Sequence, residues 1–117
     1  MPVAALAGGA RMKAPVYASG ALSREATLDH VVKAAGKLRE AGWKQMKTQL
    51  ALPGPTSVPK EVERIREIRR VIGDEIDLMC DINQRWDVRQ AISIGSRVEE
   101  FGMFWLEDVV APDDFQG

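Results

Sequence analysis

Three short apolar runs in this chain each end on a charged residue, and an amphipathic helical pattern separates each run from the next. The runs are Trp43 to Lys47, Ile76 to Asp81 and Met103 to Glu107. Strands in this alternation pair in parallel through right-handed crossovers, with the helix packed back onto the sheet. Their C-terminal ends then share one edge. Lys47, Asp81 and Glu107 are therefore expected on a single rim.

The remaining elements fit the same alternation. Ala14 to Ser19 reads as a first strand, broken by Gly20, and residues 1–13 read as a loop or the remnant of a preceding element. Leu28, Val31, Val32, Ala35 and Leu38 recur at helical spacing, predicting a helix from about Arg24 to Glu40 that stops at Gly42. The second strand runs from Trp43 to about Leu50. Pro59 suits the first turn of a helix whose buried side is Val62, Ile65, Ile68 and Ile72. Lys60, Glu61, Glu63, Arg64, Arg66, Glu67, Arg69 and Arg70 are read as its solvated side. Asp87 can cap a third helix reaching Phe101, and Pro112-Asp113-Asp114 looks like the start of a fourth.

Four strands and three helices in strict alternation make an α/β chain. Four parallel strands cannot close an eight-stranded barrel. The expectation is a partial, truncated (β/α)8-type barrel over residues 14–117. Such a piece would expose two strand edges and an apolar barrel interior.

With 117 residues the chain holds one domain at most. Its net charge of −1 gives no reason to expect nucleic acid or an anionic membrane as partner. No apolar run approaches the roughly 20 residues that span a bilayer. A single cysteine excludes an internal disulfide framework and fits a reducing, cytoplasmic setting.

An acid at a strand end is commonly a helix cap or a solvated charge. Two at successive strand ends, with Lys47 beside them, suit a hard divalent cation such as Mg2+, although a third ligand is expected and none matches. Lys47 either neutralises the pair or moves a proton with its pKa lowered near a metal. Gln49 shares its strand face; it can hydrogen-bond a substrate but cannot act as a base. Asn83 either orients Asp81 or makes a turn. His30 reads as a surface residue, Cys80 as core, Trp43 and Trp105 as packing, and Asp108 as a loop charge; Trp86 walls a pocket or covers the helix layer.

Three segments then carry a resemblance: Gly42-Trp43-Lys44-Gln45-Met46-Lys47-Thr48-Gln49, Met79-Cys80-Asp81-Ile82-Asn83-Gln84 and Phe104-Trp105-Leu106-Glu107-Asp108. They resemble the enolase superfamily, in its mandelate racemase and muconate-lactonizing branch, and Ala14 to Gly20 is similar to that branch's first barrel strand. The resemblance implies roughly the first half of a modified barrel domain. It implies Mg2+ held by Asp81 and Glu107, with a third acidic ligand on a later strand. It also implies a small carboxylate substrate, proton removal next to that carboxylate, and a full-length homo-oligomer.

The branch typically carries Lys-x-Lys at the end of its second strand, the second lysine being the usual base. Here the sequence is Lys47-Thr48-Gln49. Lys47 matches the first lysine, whose implied role is to hold and polarise the carboxylate. The base is then expected from a His-Asp pair further on, which suits dehydration of sugar acids. The alternatives are a small receiver-like signalling domain with an open parallel sheet, and an inactive partial gene product.

Overall fold

The structure is a computed structural model that describes all 117 residues. A short helix α1 (Val3–Leu6) precedes β1 (Ala18–Leu22), α2 (Leu28–Glu40), β2 (Gln45–Gln49), α3 (Val58–Ile72), β3 (Asp77–Asp81), α4 (Val88–Val98) and β4 (Met103–Glu107). A single turn of 3-10 helix at Glu99–Phe101 joins α4 to β4. The strands form one parallel sheet in the order β1-β2-β3-β4. That order is the partial barrel expected from the sequence. It also sets aside the receiver-like alternative, because a doubly wound sheet reverses its strand order part-way across.

Local chemistry sets the boundaries. Thr27 caps α2 through its hydroxyl and Asp87 caps α4 in a capping box with Gln90. The first helix therefore starts at Leu28, not near Arg24, and Arg24 is freed for another task. β1 lies later than Ala14–Ser19 because Gly20 sits inside it. Gly20 has φ +93, where a side chain is strained. Ala18 faces Met46 and Leu22 faces Thr48, so four residues of β1 advance along two of β2. The bend is part of the strand rather than its end. Pro112 starts only turns, and α1 is an element the sequence reading lacked.

The helices α2, α3 and α4 pack side by side. Beneath them lies the core: Met46, Leu78 and Cys80 from the sheet, Ile82 just after β3, Val31 and Ala35 from α2, Ile65, Ile68 and Ile72 from α3, Ile94 and Val98 from α4. Burial of such side chains contributes about 1.5–3 kcal/mol each.

Three residues assigned to the solvated side of α3 are buried instead: Glu61, Arg64 and Arg69. Each is held by main chain. Both Glu61 oxygens accept backbone N–H groups, from Ala51 and Leu52 at 3.0 and 2.9 Å. Arg64 donates to the Ser23 and Ala26 carbonyls, and Arg69 to those of Gly73, Ile76, Phe101 and Gly102. Helical periodicity identifies the apolar side but not the loops that fold over its margins.

The other sheet face is polar, not the apolar interior expected. Gln45, Lys47, Gln49, Asp77, Asp81 and Glu107 lie there around a buried Met79 that stays outside the main core. The face is deeply curved: Tyr17, just before β1, meets Trp105 of β4 edge to face at 6.0 Å, although β2 and β3 lie between their strands. No helix is long and apolar enough to cross a membrane.

Candidate metal centre

Gln49, Asp81 and Glu107 are register partners at the ends of β2, β3 and β4, and Lys47 lies one row further in beside Met79 and Trp105. The expected rim exists. Its last member depends on a register shift. Leu78 pairs with Met103, but Met79 pairs with Trp105, so Phe104 is an extra residue on β4. Strict alternation from Met103 would turn residue 107 toward the helices. The extra residue re-phases the strand and puts Glu107 on the face of Lys47 and Asp81. Phe104 is left 56% exposed.

The Lys47 ammonium lies 2.9 Å from Glu107 Oε1 and 3.6 Å from Asp81 Oδ2, and its side chain is only 12% exposed. It also sits 5.2 Å from the centroid of the Tyr17 ring. Burial alone lowers its pKa, but hydrogen bonds to Glu107 and Tyr17 outweigh burial and the net shift is upward. In this arrangement Lys47 is a fixed cation rather than the lysine of lowered pKa that proton transfer calls for.

The opposite oxygens are tied back. Asp81 Oδ1 accepts the Asn83 N–H at 2.8 Å, and Glu107 Oε2 accepts the indole N–H of Trp105 at 2.9 Å. Each carboxylate has one oxygen fixed by a residue two positions away and the other turned to the shared ammonium. Asn83 both makes the turn, at φ +51, and orients Asp81. The two carboxylates already share one cation, which is the arrangement a divalent ion needs from them. No three His, Cys, Asp or Glu side chains gather in this chain, so the donor set is two carboxylates.

Gln49 joins a second layer. Its Oε1 accepts the Arg24 N–H at 3.3 Å and its Nε2 reaches the Asn83 side-chain oxygen at 3.4 Å. Arg24, Tyr17 and the donor role of Trp105 escaped the sequence reading. Arg24 carried a signal, a lone arginine just past a strand, but periodicity absorbed it into a helix. His30 is exposed on α2, and Asp108 is exposed in the loop directly after β4. Cys80 is core, and Trp86 both joins that core and walls a pocket with Val88, Arg89, Val110 and Asp114. Burial pushes the Cys80 thiol pKa up.

Residues 30–117 match the family model described as "Enolase C-terminal domain-like". L-talarate/galactarate dehydratase of Salmonella typhimurium is 31% identical over 117 residues, which is all of this chain and 29% of that enzyme. A crystal structure of that enzyme with Mg and L-lyxarohydroxamate superposes with a TM-score of 0.82 at 29% identity, over 98% of this chain and 29% of its own. An enolase superfamily member from Polaromonas sp. JS666 gives a TM-score of 0.82 at 30% identity, covering 99% of this chain and 30% of that one. The chain thus spans less than a third of each of these relatives. With four consecutive parallel strands that resemble part of a barrel domain, it belongs to the enolase superfamily, in its mandelate racemase and muconate-lactonizing branch.

Proposed function

We propose that this chain supplies the first half of the barrel of a Mg2+-dependent enzyme that removes a proton next to a carboxylate, acting as an acid-sugar dehydratase. The observation that carries this reading is the division of labour at Asp81 and Glu107, each with one oxygen tied back and one offered to a common cation. The likeness to a talarate/galactarate dehydratase supports the substrate class.

Asp81 and Glu107 hold the ion, with a third carboxylate contributed from outside this chain. When bound, Mg2+ supplies positive charge against the substrate carboxylate, whose oxygens gain electron density as the neighbouring proton leaves. Lys47 adds a second, fixed positive charge at the same oxygens. Gln49 and Asn83 offer amide groups to substrate hydroxyls at the rim. An amide cannot accept the α-proton, so the base comes from another part of the barrel, in keeping with a His-Asp pair. Loss of the α-proton and of the neighbouring hydroxyl as water leaves an enol that becomes a 2-oxo-3-deoxy acid.

The test is a panel of aldonic and aldaric acids with the complete barrel protein and Mg2+, scored for the 2-oxo product. Dehydration that is lost on chelation and in both Asp81→Asn and Glu107→Gln is the expected outcome. Turnover that survives both substitutions, or epimerisation without water loss across the panel, overturns the reading.

A further inference from the structure

Arg24 is 4% exposed, yet no carboxylate forms an ion pair with it. Burying a guanidinium without a counter-ion is costly, and its Nε is left with no partner at all. Burial accordingly lowers its pKa. Packing does not require a charge at this position. The placement calls for a role in hydrogen bonding that an apolar side chain could not fill.

Its partners show that role. One terminal nitrogen, Nη2, donates both to the Asp81 backbone carbonyl, at 3.3 Å, and to the Asn83 side-chain oxygen, at 2.5 Å. Asn83 in turn gives its N–H to Asp81 Oδ1. Arg24 thus grips both ends of the turn that follows β3. The segment bearing Arg24 is fixed separately, by Arg64 bonding to Ser23 and Ala26. The same segment sets Gln49, whose Oε1 accepts the Arg24 N–H. An ammonium at position 49 has no acceptor to offer there, and it would stand close to a buried positive charge.

We propose that Arg24 is a positioning residue for Asp81, clamping the Asp81–Asn83 turn so that Oδ1 is committed to the chain and Oδ2 is presented at the rim. The idea rests on the reading of Asp81 as a metal ligand, and it names the group that aims that ligand. Groups behind metal ligands typically change affinity 10–100-fold when removed.

The test compares Arg24→Met, Arg24→Lys and Arg64→Met in the complete barrel protein. Two readouts are used: Mn2+ affinity by calorimetric titration, and hydrogen exchange of the Asn83 amide in metal-free protein. Arg24→Met is expected to weaken Mn2+ binding at least about 10-fold and to speed Asn83 exchange by a similar factor. Arg64→Met, which loosens the same segment without touching the turn, is expected to stay within about 3-fold of wild type in both readouts. Equal losses in the two methionine variants, or unchanged Asn83 exchange in Arg24→Met, overturn the proposal. If Arg24→Met does not fold, Arg24→Lys decides: its shorter side chain ends short of the position that Nη2 occupies and cannot hold both oxygens at these distances, so wild-type values overturn the proposal and intermediate ones support it. Wild-type protein that binds no Mn2+ overturns the metal reading, and Asn83 exchange then still decides on Arg24.

Discussion

Asp81 and Glu107 stand at the same register position on adjacent parallel strands, and each turns one carboxylate oxygen toward the same ammonium, that of Lys47. The pair is a cation-binding arrangement before any metal is added. Lys47 holds apart two negative groups that would otherwise repel one another at a half-buried site.

Removing that ammonium should make the fold lean on a divalent ion. Lys47→Met leaves two carboxylates facing each other and is expected to destabilise metal-free protein by about 1–3 kcal/mol. Added Mg2+ binds the folded state and recovers stability by mass action. Thermal unfolding with and without Mg2+ checks this. The rise in Tm should be larger in the variant than in wild type; an equal or smaller rise counts against a shared ion site.

The phase of β4 after Phe104 should matter, and the Phe104 side chain should not. Phe104→Gly keeps the strand length and removes only an exposed ring, so Mn2+ affinity should stay within about 3-fold. Inserting one glycine between Trp105 and Leu106 shifts the phase by one residue and turns Glu107 toward the helices. Mn2+ binding should then fall by about 100-fold or more, the scale of losing a ligand outright. Retained affinity in the insertion variant would show that the site does not depend on the phase of β4.

Glu61 governs the loop after β2 from outside the site. Glu61→Ala leaves two buried N–H groups without acceptors and should cost about 2–5 kcal/mol in denaturant unfolding. Burial raises the Glu61 pKa above its ordinary 4.5, outweighing the two N–H bonds that lower it. A carboxyl whose folded pKa exceeds its unfolded one binds its proton more tightly when folded. Its protonation therefore adds stability below 4.5 and that contribution is lost as pH rises through the folded value. The stability difference between wild type and Glu61→Ala should shrink over that window as pH increases; a difference that grows instead contradicts the assignment.

Cys80 should be chemically silent. It is fully buried in the core and its thiol pKa is pushed up by burial. Labelling by a thiol reagent at mildly alkaline pH should proceed only at the rate of unfolding. Fast labelling of native protein would place the thiol outside the core.

Much of this was legible in the residues because strand ends and helix caps are local. Met103–Glu107 stands where its apolar run predicts, and Asp81 and Glu107 share the strand-end edge that parallel topology predicts, although the extra residue that re-phases β4 is not visible in the apolar run. Long-range interactions hid the rest. Gly20 looked like a strand end because an isolated glycine cannot reveal whether a neighbouring strand continues past it. Glu61, Arg64 and Arg69 looked solvated because their main-chain partners come from loops that helical periodicity does not describe. Arg24 was hidden twice over, since its partners lie 57 and 59 residues further along the chain. The polar inner face likewise needs the register of all four strands before its residues can be seen as neighbours.

The central claim is that Asp81 and Glu107 grip one divalent ion, and a crystal structure of the complete barrel protein grown with Mn2+ tests it most directly. The expected result is a single anomalous peak with one oxygen of each residue at about 2.1–2.2 Å, and Lys47 displaced from between them. A peak elsewhere, or a peak held by only one of the two carboxylates while Lys47 keeps its bonds to both, would contradict it.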